Sequence, residues 1–227
     1  MIKAVIFDLD DTLISEKRYI ESGYHHISRL LSYRYGKEAD ALYHLLIRVF
    51  NESTQNVFNR VLDKLGITYT RNDIMDLVEE YRSHFPTVEF FDDVLPCLQD
   101  LKKNQIKVGV ITDGYANAQL QKLKAVKAIN YFDEIIVTDE LGREYWKPHP
   151  KAFEMMTEKL NVEFNEMIYV GDNPEKDFYI SSIYPMETVR IYRDGVHKDK
   201  VYLNDIKEHH SIHSLNELLT VVEVELL

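Results

Sequence analysis

Apolar positions recur along this chain in two different periods, and the change between them divides it. A short apolar run, Ala4 to Phe7, reads as a buried strand and stops at Asp8. From about residue 16 to residue 85 the period is helical throughout. Ile20, Tyr24, Ile27, Leu30 and Leu31 share one stripe, and Ala41, Leu42, Leu45, Leu46 and Val49 share a second. Val57, Phe58, Val61, Leu62 and Leu65 form a third, with Gly66 as its C-terminal cap. A fourth helix starts at Asn72 or Asp73, carries Ile74, Leu77, Val78, Tyr81 and Phe85, and is stopped by Pro86.

Beyond Pro86, apolar runs and helical stripes alternate. Helices are expected over residues 92–103, 116–126 and 150–160, and strands over 107–112, 134–137, 167–170 and 188–192. A shorter helix is expected after Pro174. Ser214 and Glu217 form a capping box for a closing helix over 214–222. Strands separated by helices call for a parallel sheet with right-handed crossovers, which the first strand must join. The fold class is therefore α/β. The helical stretch is an insertion that can bury its own stripes. The expected domains are a core of residues 1–14 and 87–227 and a helical domain of residues 15–86.

Composition narrows the function classes. The 227 residues are 45% hydrophobic and 29% charged, enough for a full globular core. The net charge of −11 argues against general binding of nucleic acid or anionic membranes, but not against small phosphorylated ligands. Cys97 is the only cysteine, so no intramolecular disulfide forms, which fits a cytoplasmic location. Four apolar residues before Asp8 are too few for a signal peptide or membrane span.

The polar residues of interest stand at strand ends, the edge where open α/β sheets bind ligands. Asp8 and Asp10 are two apart, so in extended geometry they point the same way and need a cation or a shared proton. Asp8 to Thr12 equally suits a helix cap or turn. Thr112-Asp113-Gly114 offers a hydroxyl and free amides to a phosphate, or an N-cap to the next helix. Lys147-Pro148 sets a cation in a proline-braced loop, where most lysines are simply solvated. Gly171-Asp172, with Asp177 further on, reads as a capped turn or as a loop suited to a hard cation.

In this order and at these places, the four stretches resemble the motifs of the haloacid dehalogenase superfamily of phosphohydrolases. Asp8, Asp10 and Thr12 match its Asp-x-Asp-x-Thr motif, Thr112 its second, Lys147-Pro148 its third, and Gly171, Asp172 and Asp177 its fourth. The resemblance covers essentially the whole chain. It implies a Rossmann-like core with a mobile helical cap, and a Mg²⁺-dependent phosphatase hydrolysing a small phosphorylated metabolite. The alternatives are a phosphomutase of the same fold or a non-catalytic phospholigand-binding protein.

The expected roles follow from phosphoryl transfer. Asp8 is the nucleophile that forms an aspartyl-phosphate, and Asp10 protonates the leaving oxygen and later activates water. Thr112, Asp113, Gly114 and Lys147 hold the phosphoryl group. Asp8, Asp172 and the backbone carbonyl of Asp10 hold Mg²⁺. Asp177 orients Lys147 or a metal-bound water. The acid at position 10 favours phosphoester cleavage over dehalogenation, since a halide leaves without a proton.

Some positions depart from the family pattern. Asp113 stands where many relatives carry Asn, and is awkward beside a phosphate unless it turns away or caps the next helix. Tyr145 and Trp146 either wall the pocket or merely pack. His25 and His26 are weaker candidates for substrate contact, with a solvated helix face as the alternative, and Arg18, Tyr19 and Tyr24 are candidates to line the cap entrance. His209, His210 and His213 read as surface.

Overall fold

The computed structural model describes residues 1–195, 197 and 199–224. In chain order they form β1 (Ala4–Phe7), α1 (Glu16–Tyr35), α2 (Ala39–Glu52), α3 (Val57–Lys64), α4 (Arg71–Ser83) and α5 (Val94–Lys103). Then follow β2 (Lys107–Thr112), α6 (Ala116–Ala125), β3 (Glu134–Val137), α7 (Lys151–Leu160), β4 (Met167–Gly171), β5 (Glu187–Ile191), β6 (His210–Ile212) and α8 (Leu218–Val224). The six strands make one sheet of order β3-β2-β1-β4-β5-β6, and every pairing is parallel. This is a Rossmann-like α/β fold. No helix among the described residues is long and apolar enough to cross a membrane.

The chain divides into two compact units, one of Met1–Glu16 and Glu89–Leu227, the other of Lys17–Val88. In the first, β1 lies mid-sheet, with Phe7 opposite Val110 of β2 and Val170 of β4. All four β1 residues are buried, as a strand covered on both faces requires. That register brings the ends of β1, β2 and β4 to one edge. Below it, Ile6, Ile111, Phe153, Met156, Met167 and Tyr169 form a continuous apolar core. Phe153 of α7 meets the Tyr169 ring edge-on, 5.0 Å between centroids.

The second unit packs the stripes of α1 to α4 on one another, with Tyr24, Ile27, Leu46, Val61, Leu62 and Leu77 at the centre. Tyr19 and Tyr24 are buried rather than placed to line an entrance. His25 stacks on Tyr43, and His26 pairs with Glu80. Both histidines thus have partners inside this unit.

Several elements differ from the sequence reading. α4 starts at Arg71, because Thr70 is the N-cap and closes a capping box with Asp73. It ends at Ser83, and Phe85 lies outside it, 68% exposed, since the residue before a proline is disfavoured in a helix. Among the described residues, no α-helix forms between Pro174 and β5. The side chain and carbonyl of Asn173 accept from Glu175 and Asp177 amides, tying that segment into a turn, and only a 3₁₀ turn, Tyr179–Ser182, comes later. β6 is an additional edge strand, too short at three residues to show a period.

Phe153 is fully buried under the edge that carries the polar residues. Phe153→Ala should cost about 3–5 kcal/mol, the usual range for emptying such a site. Urea unfolding followed by circular dichroism checks this, with a shifted midpoint and unchanged slope expected.

Candidate active site

Each strand end at this edge delivers a polar side chain, and a single lysine gathers them. The Asp8 amide still donates to the Val170 carbonyl (2.8 Å), so its carboxylate is fixed by the sheet. Lys147 Nζ lies 2.6 Å from Asp8 Oδ1, 2.9 Å from Asp177 Oδ1 and 2.6 Å from the Tyr169 hydroxyl. Its side chain is fully buried. The Lys147–Pro148 peptide is cis. Burial alone would depress this ammonium, but Asp177 and Asp8 outweigh it and hold its pKa well above the ordinary value.

After Asp8 the chain leaves extended geometry. Asp11 adopts a left-handed conformation (φ 52°), which Asp tolerates better than most residues. Its carboxylate accepts from the Glu16 amide at the start of α1 (3.0 Å). The extended geometry of β1 has ended by this point, and the Asp8 and Asp10 carboxylates have different partners. The Asp10 carboxylate is engaged instead by Lys122 (2.7 and 2.8 Å) and Gln119 (2.9 Å) of α6.

Thr112, the last residue of β2, is buried, and its hydroxyl accepts from Gln119 at 2.6 Å. Gly114 (φ 128°) leaves room for this amide, because a Cβ there would crowd the Gln119 side chain at 3.1 Å. The Asp113 carboxylate turns inward. It accepts from Thr138 (2.8 Å) and the Lys147 amide (3.1 Å) and pairs with Lys176 (3.0 Å). Although burial opposes it, Lys147 and Lys176 hold this carboxyl below its usual range. Asp113 thus braces the Lys147 loop rather than offering its side chain to an anion. Nor does it cap α6, since Asp139 accepts the Ala116 amide (2.9 Å). Asp139 also accepts from the Trp146 indole (3.2 Å), which ties Trp146 down.

Asp8, Asp172 and Asp177 each offer an oxygen, and these atoms lie within 4.8 Å of one another. Gly171 permits that approach, since a Cβ there would overlap the Asp177 carboxylate. Burial pushes Asp8 up to about 6 despite Lys147 at its side. Burial, then Asp177 and Asp8, push Asp172 up to about 9. Asp172 Oδ1 is buried with no hydrogen-bond partner. An orphaned oxygen among crowded acids is what a cation would satisfy, so this cluster can hold one. The Asp10 carboxylate is not among these oxygens.

Four residues at this edge escape sequence reasoning. Gln119 and Lys122 are polar residues three apart on the buried face of α6, a signal that was present. Tyr169 lies two residues before Gly171, on the same face of a fully buried strand, where a hydroxyl must find a partner. Lys176 sits between two motif residues and looks like a spacer.

The chain was compared with known proteins. Residues 5–191 match the family model described as haloacid dehalogenase-like hydrolase. A glyceraldehyde 3-phosphate phosphatase of Methanopyrus kandleri is 33% identical over 213 residues, covering 90% of each chain. The pyrophosphatase PpaX of Bacillus mycoides is 25% identical over 227 residues, covering 97% of each. The crystal structure of a HAD phosphatase from Thermococcus onnurineus superposes with a TM-score of 0.63 at 26% identity, covering 97% of this chain and 98% of that one.

The raised carboxyls set a pH dependence. Asp8 (about 6) and Asp172 (about 9) lie above their unfolded values, as does half-buried Glu16, pushed to about 7 by burial and then by Asp10. The folded state therefore binds more protons than the unfolded one between about pH 4 and 9. Their contribution is fully present below about pH 4 and is lost as pH rises through 6, 7 and 9. In EDTA, the thermal midpoint should fall between pH 5 and 9. Excess divalent cation should restore it, most at the alkaline end. A midpoint flat with pH, and unmoved by the cation, would contradict the acid cluster described here.

Proposed function

The chain belongs to the haloacid dehalogenase-like hydrolase family, and from that premise we propose a Mg²⁺-dependent phosphatase whose nucleophile is Asp8 and whose substrate is a small sugar phosphate. The observation that carries this is Asp8 itself. Its carboxylate is buried, fixed at 2.6 Å from the Lys147 ammonium, and set beside an unpartnered Asp172 oxygen. With a pKa of about 6 it is ionised at neutral pH and able to attack.

The chain's own residues account for both half-reactions. Asp8 Oδ attacks phosphorus, the bond to the leaving oxygen breaks, and Asp10 delivers a proton to that oxygen. Asp10 then takes a proton from the water that attacks the aspartyl-phosphate, which releases phosphate and regenerates Asp8. Lys147 and Thr112 face the phosphoryl oxygens, and Asp177 keeps Lys147 aimed. Mg²⁺, held by Asp8, Asp172 and the Asp10 carbonyl, would neutralise charge on the phosphoryl group. Choice of leaving group falls to the helical insertion, a cap which the chain enters directly after the acid loop. The lone buried Cys97 suits a reducing cytoplasm.

The resemblance to the Methanopyrus enzyme makes glyceraldehyde 3-phosphate the first substrate to try. Pyrophosphate is the second, from the resemblance to PpaX. Phosphate release should need Mg²⁺ and stop in EDTA. If glyceraldehyde 3-phosphate is not hydrolysed while pyrophosphate or p-nitrophenyl phosphate is, the sugar phosphate assignment fails and the phosphatase stands.

The two acids should fail differently. Asp8→Asn should abolish turnover, because no covalent intermediate can form. Asp10→Asn keeps the nucleophile and Lys147, so p-nitrophenyl phosphate, with its good leaving group, can still be attacked. A burst of about one equivalent of nitrophenol should precede a slow steady rate. An alkyl phosphate should lose more, by ~10²–10⁴-fold, the usual worth of a general acid. Quench-flow with both substrates reads this directly. Equal losses and no burst would remove Asp10 from proton transfer.

A further inference from the structure

The Asp10 carboxylate is held by two side chains of α6 that no family motif includes. Lys122 Nζ reaches both its oxygens, at 2.7 and 2.8 Å, and Gln119 Nε2 reaches Oδ2 at 2.9 Å. Residues three apart share a helix face, so both arrive from one rigid element. Lys122 is 3% exposed and Gln119 1% exposed. A buried ion pair is a poor source of stability, because desolvation offsets most of its attraction. Stability alone therefore does not account for a lysine and a glutamine converging on one carboxylate.

Gln119 has a second task. Its amide nitrogen lies 2.6 Å from Thr112 Oγ1 and 2.7 Å from the Asp113 carbonyl, besides Asp10. A carboxylate and a carbonyl only accept, so they fix which end of the amide faces them. The amide has two protons for three acceptors, so one is shared, and Thr112 accepts from it, which engages a lone pair of that hydroxyl. The Thr112 proton is left to point at a ligand oxygen. α6 begins three residues beyond Thr112 and the end of β2, so helix and phosphate ligand move as one piece.

On the hydrolase reading above, we propose that Gln119 and Lys122 are positioning residues that aim Asp10 for proton transfer, with Gln119 also setting the Thr112 hydroxyl. Lys122 ties the carboxylate down on the side of α6, where it stays clear of the Asp8, Asp172 and Asp177 cluster. Glu16 is a further acid in Lys122's electrostatic surroundings. Gln119 keeps one carboxylate oxygen in register with the phosphate ligand. A misaimed acid should hurt substrates that need a proton and spare those that do not.

The test compares kcat/KM on p-nitrophenyl phosphate and on an alkyl phosphate, since this ratio reports steps up to the phosphoenzyme. Lys122→Met should lose about 10- to 100-fold more on the alkyl phosphate, a fraction of the ~10²–10⁴-fold that general acids contribute. Its Mg²⁺ titration should be unchanged, because the cation ligands lie elsewhere. Gln119→Leu should show the same leaving-group dependence and also a weaker grip on inorganic phosphate as inhibitor. Gln119→Asn or Lys122→Arg, which keep the donor, should recover part of the loss.

In an Asp10→Asn background, Lys122→Met should cost nothing further, because its effect runs through Asp10. That double variant removes both charges of the Lys122–Asp10 pair, so neither is left without the other. If Lys122→Met alone misfolds, Lys122→Gln supplies the single-variant arm. Uniform loss on both substrates, or a further loss of tenfold in the Asp10→Asn background, would overturn the positioning role. The hydrolase reading is judged separately. It fails if the wild-type protein releases no phosphate with Mg²⁺; an Asp10→Asn variant without leaving-group dependence would instead remove Asp10 as proton carrier and the positioning role with it.

Discussion

A buried ammonium must be neutralised by groups that reach it, and Lys147 imposes that demand on three parts of the core at once. Asp8 closes β1, Tyr169 belongs to β4, and Asp177 stands in the loop beyond β4. All three have oxygens within 2.9 Å of one nitrogen. Such a pair contributes little net stability, yet removing one partner typically costs about 3–5 kcal/mol. Its effect is to fix geometry. Once the sheet register sets Asp8 and Tyr169, the Lys147 loop and the Asp177 turn have one arrangement that satisfies the charge. Gly171 is part of the same constraint, because only a residue without a Cβ lets the Asp177 carboxylate come this close.

The Lys147 loop needs anchoring from its other side too, and Asp113 supplies it. A carboxylate directly after Thr112 looks wrong for a phosphate site. Here both its oxygens are used within the protein, by Thr138, the Lys147 amide and Lys176. Its charge is balanced locally, so an incoming phosphate does not meet it as an unpaired anion. Asp113 and Lys176 thus belong together as one unit of the edge.

Much of this was legible in the sequence, for definable reasons. β1 and β2 have the bounds read from their apolar runs, because buried parallel strands leave uninterrupted hydrophobic stretches. The capping box at Ser214 and Glu217 is present as read, since a cap depends only on residues three apart. What escaped depends on contacts across the fold. Nothing local to Asp10 says that its partners lie 109 and 112 residues away on α6. Nothing local to Pro174 says that Asn173 will hold a turn where a helix looks possible. The expectation that Asp8 and Asp10 point alike assumed a strand, whereas β1 ends at Phe7. Leu9 lies in a bend, so a period of two does not carry from Asp8 to Asp10.

That bend gives two acids, one residue apart from being neighbours, separate electrical surroundings. Asp8 faces Lys147 inside an acid cluster that invites a cation, while Asp10 faces Lys122 on a helix from the opposite side. A nucleophile and a proton carrier need this separation. Were both carboxylates in one cluster, a cation bound there would hold both as ligands, and neither would be free to take up a proton. On the proposed reading, a cation would be held by the cluster that includes Asp8, while the Asp10 carboxylate, held by Lys122 and Gln119, stays outside that cluster. Two acids two positions apart in the chain are thus each paired with a different buried lysine, which gives the proposed division of labour between them a structural basis.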